Sequence, residues 1–410
     1  MKSLEKLFRY GLGPSSSHTI APSIAARSFK KLIKGDIDKV VVTFYGSLGL
    51  TGHGHGSDLA VIDALYPYKT EVVFDIETEA PHPLYLSFEA MKGGVSLIKR
   101  HYASLGGGEI TSEDDPSVIE KDIYPYHNLN EIKAKINDEH LSGIKEFCLL
   151  YEDPSIDDYL SNALKMMFSS LEHGLTVDSY IPANDNPRLH WKRCAKSIYE
   201  NALTIKDEGA KREMLLSAYA YAVVESSSSR EHVVTSPTCG SSGVLPSVLY
   251  YCYHDLGMPF EKVKDALYTA GIFGNIVKQN ASIAGAIGGC QAEIGTASSM
   301  AAAALAELNG LSLYQIEYAS ECAMEHFLGL SCDPVDGYVI IPCIERNGMG
   351  ALRAYDSYLY AKFIAPIRHN QVSFDDVVAA MKLTGDSLAS AYKETAEGGL
   401  AEILKEKKTK

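Results

Sequence analysis

Long apolar runs, positive charge and regularly spaced cysteines are what this chain has little of. No stretch of about 18 consecutive apolar residues occurs, which argues against a helical membrane span. Lys and Arg number 38 against 52 Asp and Glu, a formal net charge of −14 that argues against nucleic acid or an anionic membrane as partner. The one basic run, Lys405–Lys410, is short and terminal, and reads as solvated. Eight cysteines in 410 residues, irregularly spaced, are not a disulfide framework. Met1-Lys2-Ser3-Leu4 lacks the layout of a signal peptide and leads into an amphipathic stretch. The expectation is a cytoplasmic chain with reduced thiols, no nucleic-acid partner and no membrane partner. No repeat of fixed period occurs, and Ser226–Ser229 is the only low-complexity run. Strand signals nearly vanish after Pro187.

What is present is ordinary in bulk, 46% apolar and 22% charged, and too long for one core. Lys39–Tyr45 and Val72–Ile76 are β-branched and aromatic runs that predict strands, and Tyr102–Gly108 predicts a strand entering a turn. Ile24, Phe29, Leu32 and Ile33 mark one helix, and Leu59, Ile62 and Leu65 another. Between Asp115 and Pro187 the signals weaken to short helical patterns such as Ile156–Leu171. Ile181–Pro187 ends on the turn signal Asn186-Pro187 and reads as a linker. Helical patterns follow at Ala195–Ile205, Met214–Val224, Gly243–His254, Phe260–Ile276, Ala292–Leu308, Leu313–Met324 and Asp375–Thr384. Ala292–Leu308 is apolar nearly all round and closes on Gly310, as a buried helix does. The expected fold is an α+β N-terminal domain (1–145), a linker region (146–187) and a mostly α-helical C-terminal domain (188–410).

Three stretches carry chemistry. Gly11–Pro22 breaks one helix and opens another behind Ser15, Ser16, Ser17, His18 and Thr19. Hydroxyls and free N–H groups at a helix start suit a carboxylate or phosphate, and plain capping by Ser17 or Thr19 competes with that reading. Gly46–Asp58 runs from a strand into a helix capped by Ser57 or Asp58. It holds five glycines with His53 and His55, either of which is placed to act as a base or bind metal. His82, fixed between Pro81 and Pro83, is a third candidate. The last stretch holds Cys290, Cys332 and Cys343, with 41 and 10 residues between them, the latter two in proline-bearing segments that read as turns. Three thiolates converging from loops leave one position of a metal centre open. Free cysteine is also among the most buried residue types, and spacing alone leaves both readings standing.

Taken together the motifs resemble one family, the iron–sulfur L-serine dehydratases. Gly13–Thr19, Gly46-Ser47-Leu48, Thr51-Gly52 and Gly54-His55-Gly56 look like its first domain. Ser236-Pro237-Thr238, Asn280-Ala281-Ser282, Cys290-Gln291, Met324-Glu325-His326, Cys332–Val335, Pro342–Asn347 and Gly398-Gly399-Leu400 look like its second. The resemblance implies the two domains fused in one chain, with an active site between them. It implies a 4Fe-4S cluster on Cys290, Cys332 and Cys343, His55 as base, and L-serine as substrate. Ser15, Ser16, Ser17, His18, Thr19, Thr51, Gly52, Thr238, Cys239 and Asn280 then contact substrate, and the chain forms a homodimer. Cys239 stands where the family commonly has Asn, so it alters a substrate contact or reaches the cluster. Some members end in a cysteine that caps the open iron; this chain ends Lys407-Lys408-Thr409-Lys410, and that iron is expected open. Nothing argues for a pyridoxal phosphate lysine. β-Elimination of sulfide from L-cysteine, or a non-catalytic serine-binding regulatory role, are the alternatives.

Overall fold

The computed structural model describes residues 1–181 and 189–406. Most of the Ile181–Pro187 linker, and the chain's last four residues, therefore lie outside the described residues. The N-terminal part is built on a five-stranded sheet. Its strands, numbered after the short strand β1 (Tyr10–Leu12), are β2 (Lys39–Tyr45), β3 (Thr70–Asp75), β4 (Tyr85–Lys92), β5 (Val95–Gly106) and β6 (Glu109–Thr111), in the order β3-β2-β4-β5-β6. β2 and β3 run parallel, joined by the helices Gly46–Thr51 and Ser57–Leu65, and the remaining pairs are antiparallel. β2 alternates as a half-buried strand should: Val40, Val42 and Phe44 are buried and pack with Phe29, Leu86 and Phe88. The helix Ala21–Leu32 buries Ala21, Ala25, Ala26 and Phe29; Ile24 is only partly covered. In Ser57–Leu65 the buried face is Val61, Ala64 and Leu65, while the expected Leu59 and Ile62 are exposed.

The rest is helical, as expected. Its centre is Thr296–Leu308, where Ala297 and Ala301–Ala304 are all wholly buried. Alanine on every side lets the helices Val244–Tyr250, Phe260–Asn280, Leu313–Glu325 and Cys343–Phe363 pack close around it. The pattern at Ile156–Leu171 is the helix Ile156–Gly174, and its buried face joins the same core. So do Leu4, Leu7 and Phe8 of the amino terminus, and β1 pairs antiparallel with β7 (His232–Val234). Cys343 is not in a turn: it is the first residue of the 21-residue helix Cys343–Phe363.

The two parts meet along the Gly/His loop. A Cβ on Gly54 would lie 2.6 Å from the Gly337 carbonyl, so only glycine lets the loop approach the segment between Cys332 and Cys343.

Candidate functional site

His18 and His55 come together at the carboxyl end of β2. Their rings stack with centroids 4.3 Å apart, and both side chains are fully buried. His18 sits in a helical turn, Ser16–Ile20, whose cap is Ser15, not Ser17 or Thr19: the Ser15 hydroxyl accepts from the His18 N–H at 3.1 Å. The Ser57–Leu65 helix has Gly56 at its cap position instead of Ser57 or Asp58, and the Ser57 hydroxyl donates to the His18 carbonyl at 2.5 Å. Thr19 Oγ1 donates to the His55 carbonyl at 3.0 Å. The loop and the hydroxyl cluster are thus one hydrogen-bonded unit.

The network assigns both tautomers. His55 Nδ1 lies 2.8 Å from the Thr51 carbonyl, so that nitrogen carries the proton and Nε2 carries the lone pair. His18 Nε2 faces the hydroxyls of Thr51 at 3.1 Å and Ser47 at 3.3 Å. Both hydroxyl protons are already committed, Thr51's to the Ser47 carbonyl at 2.9 Å and Ser47's to the Glu394 carbonyl at 2.8 Å. His18 Nε2 must therefore donate, and His18 Nδ1 accepts from Ser17 Oγ at 3.0 Å. Burial, acting against the charged form, pushes His18 down to about 4, and it is neutral at pH 7.

Facing both lone pairs is Glu394, which the motifs did not single out. Its side chain is 6% exposed, with Oε1 3.4 Å from His55 Nε2 and 3.7 Å from His18 Nδ1. His55 Nε2 and Glu394 Oε2 have no hydrogen-bond partner. Burial opposes ionisation of Glu394, while the Ala286 N–H favours it. Glu394 reaches the site because its backbone takes φ +59° and pairs with Cys332: Cys332 N–H donates to the Tyr392 carbonyl and Glu394 N–H to the Cys332 carbonyl, each at 2.8 Å. A segment near the end of the chain thus ties the helical part to the loop on β2. Acids are common here, and a turn acid four residues before Gly398 gave no signal of its own.

Cys290, Cys332 and Cys343 are unbridged and converge beside this group. Cys332 beside it, with Arg346 nearby, draws Cys290 down to about 6 against the effect of burial. The same contact and burial raise Cys332, and burial with the Cys290 charge raises Cys343. Arg346 is anchored on the Ser331 carbonyl at 2.7 Å. Burial, and then the Glu394 charge, push Glu293, one helical turn beyond Cys290, well above the usual carboxylate range, and it accepts from Thr238 Oγ1 at 2.7 Å. Gly285 lies among these groups: a Cβ there would come 3.0 Å from Cys332 Sγ, 3.2 Å from Glu293 Oε2 and 3.3 Å from Glu394 Oε2.

Other candidates fall elsewhere. His53 is 70% exposed and pairs with Asp58 at 3.3 Å. His82 Nδ1 accepts from the Leu84 N–H at 3.1 Å. Cys239 is wholly buried in the helical core, its thiol pushed up by burial. The Asn280 amide donates to the His127 carbonyl at 2.6 Å, and among the described residues no hydrogen bond joins it to His18, His55 or the cysteines. Gly52 packs against the Leu48 carbonyl, inside the loop. Among the described residues, the group whose metal-ligating atoms all lie within 4.8 Å of one another is His18, His55 and Glu394.

Paired histidines at the end of a sheet strand, closed over by a helical part that offers carboxylates and thiols, form a candidate site shared between the two parts of an enzyme fold. Residues 3–73 match the family model of the serine dehydratase beta chain, and residues 88–401 that of the serine dehydratase alpha chain. The chain is 34% identical to an L-serine dehydratase of Streptomyces coelicolor, covering 97% of this chain and 98% of the relative. It is 34% identical to an L-serine dehydratase of Helicobacter pylori (98% and 99% covered) and 32% identical to L-serine dehydratase 2 of Escherichia coli (98% of each). The chain belongs to the serine dehydratase family, with beta-type and alpha-type regions fused in one polypeptide.

Proposed function

We propose that this chain is an L-serine ammonia-lyase, converting L-serine to pyruvate and ammonia, with His55 as the base. One observation carries the reading: His55 is fixed through Nδ1 on the Thr51 carbonyl, which leaves an unpartnered Nε2 lone pair in a buried site. We further propose that Cys290, Cys332 and Cys343 hold a 4Fe-4S cluster. The donor set fits: three reduced thiols, a guanidinium to offset thiolate charge, and at Gly285 an empty side-chain position against Cys332. The thiols are not grouped as tightly as ligands of a single ion, which also favours a larger centre. When bound, the cluster supplies Lewis acidity toward the substrate's β-hydroxyl.

The remaining work falls to the chain's own side chains. Ser15 and Ser16, at the start of the helical run, supply donors for the substrate carboxylate, while Ser17 and Thr19 support His18 Nδ1 and the His55 carbonyl. His55 Nε2 takes the α-proton; the Cα–H electron pair becomes the Cα–Cβ double bond as the Cβ–O bond breaks and hydroxide departs. Closely packed walls keep bulk water out until the aminoacrylate leaves, to tautomerise and hydrolyse unaided. Thr51 and Gly52 hold the loop, Thr238 reaches the site through its bond to Glu293, and Cys239 and Asn280 belong to the substrate side only on the resemblance. The same reading expects a cytoplasmic homodimer.

The test is anaerobic purification followed by assay. The wild type should be brown, with broad visible absorbance lost in air. His55→Ala should keep that absorbance while turnover falls by about a thousandfold; retained turnover would remove His55 as the base. Faster pyruvate formation from L-cysteine than from L-serine would move the reading to sulfide elimination.

A further inference from the structure

The hydrogen-bond network leaves an imbalance at the centre of the site. His55 Nε2 is an acceptor without a donor, Glu394 carries an unpartnered Oε2, and His18 Nδ1 is an acceptor with the Ser17 hydroxyl at 3.0 Å and the Ser15 hydroxyl at 3.4 Å. All three residues are buried, and their ligating atoms lie within 4.8 Å of one another. Three acceptors, one of them a carboxylate, therefore converge on one spot, while Arg346, on the cysteine side, is bonded to Ser331 and Asp333. A buried carboxylate facing two imidazole lone pairs is incomplete without a cation that also donates hydrogen bonds. Ser17 Oγ can turn to Ser15 Oγ, 3.2 Å away, so His18 Nδ1 can exchange its present donor for a ligand's.

We propose that Glu394, with His18 Nδ1, forms the subsite for the substrate's α-ammonium group and leaves the His55 Nε2 lone pair free for the α-proton. The proposal rests on the dehydratase reading above and adds to it which substrate group Glu394 recognises. An ammonium group brings one positive charge and three N–H donors, enough for the two Glu394 oxygens and His18 Nδ1. It is bonded to Cα, so seating it here brings the Cα–H beside His55 Nε2. The arrangement selects α-amino acids over α-hydroxy acids at the same site: a hydroxyl brings one donor and no charge, and leaves the buried Glu394 charge uncompensated. The binding step breaks no covalent bond.

The test compares two non-reacting ligands, L-alanine and L-lactate, which differ only in carrying an ammonium or a hydroxyl group on Cα. Both are measured on the cluster-loaded full chain, by inhibition of L-serine turnover and by calorimetry. The wild type should bind L-alanine at least about tenfold more tightly than L-lactate. Glu394→Gln should lose most of that ratio, by weakening L-alanine about tenfold or more while L-lactate stays within about twofold, and should raise KM for L-serine more than it lowers kcat. Glu394→Asp should recover part of the ratio, and visible absorbance reports that the cluster is intact. Equal affinity of the wild type for the two ligands overturns the proposal even if neither variant can be prepared. So does a Glu394→Gln variant that weakens both ligands alike. One equivalent of zinc or iron beyond the cluster, lost in Glu394→Gln, overturns it too, because the acceptors would then be metal ligands. A wild type that discriminates the ligands but makes no pyruvate from L-serine sinks the dehydratase reading and leaves the subsite standing. A wild type that makes pyruvate without discriminating sinks the subsite alone.

Discussion

The loop on β2 and the cysteine segments of the helical part hold their functional groups by opposite means. On the sheet side each group is fixed by named hydrogen bonds: His55 on Thr51, His18 on Thr51, Ser47 and Ser17, Ser57 on the His18 carbonyl. On the helical side the thiols sit where packing leaves room, under a bundle centred on the alanine-rich helix 296–308 and against glycines such as Gly285. A polar network fixes direction, as a base needs. Close packing excludes water and fixes position, as a set of soft ligands needs. Glu394 belongs to both, with its backbone on Cys332 and its side chain on the histidines.

The largest effect expected from this contrast is on the packed side. Cys332→Ser should cut turnover by about a hundredfold or more and strip the visible absorbance, since it removes a proposed ligand. Cys239→Ser, in the same half but within the apolar core, should keep the absorbance and the activity. Its cost is about 1–3 kcal/mol of stability for a hydroxyl buried in place of a thiol. Iron content and denaturant midpoints separate the two. Equal loss of iron in both variants would mean that Cys239 is itself a ligand, and that the packed half holds four.

The next effect lies on the hydrogen-bonded side. His18 is held down to about 4 by burial, against about 6.5 in an unfolded chain. The unfolded state therefore binds the extra proton first as the pH drops. Stability contributed by His18 is fully present above about pH 6.5 and is lost as pH falls toward 4, by about 3 kcal/mol in all. Urea unfolding at pH 7 and pH 5 should show a drop that His18→Gln removes in part. An unchanged pH slope in His18→Gln would mean that the ring is not buried in its neutral form.

The same contrast explains what could be read from the amino acids alone. Strand β2 and the helix 296–308 announce themselves because their burial is periodic or total over many residues. Cys343–Phe363, just as long a helix as any, was hidden. Its buried face is Ile344, Asn347, Gly348, Gly350, Ala351, Ala354, Ser357, Tyr358 and Ala361, too small and polar for a hydrophobic stripe, and Pro342 before it reads as a turn. The cysteines and the Gly-His-Gly loop were legible as motifs. Glu394 was not, because its position depends on a left-handed backbone and on pairing with Cys332, sixty-two residues earlier, which no local pattern encodes. Glu293 had a weak signal in its spacing, since an acid three residues after Cys290 on a helical turn shares its face.

The smallest effect tests the joint between the two halves. Ser47 Oγ donates to the Glu394 carbonyl and lies 3.3 Å from His18 Nε2, so one hydroxyl links the sheet-side network to the segment held by Cys332. Ser47→Ala should cost about 1 kcal/mol in stability, the net worth of one buried hydrogen bond, with somewhat more if the Glu394 carbonyl is left unpaired. Its effect on turnover should be a few-fold and should fall on kcat and KM together, because Glu394 and His18 both lose a support. His53→Ala, on the same loop but exposed and paired only with Asp58, should change neither quantity measurably. If His53→Ala proves as damaging as Ser47→Ala, the loop acts as a rigid body and the individual hydrogen bonds are not what aims His18 and His55. If Ser47→Ala is silent, the pairing of Glu394 with Cys332 is enough to position the carboxylate, and the packed half governs the site alone.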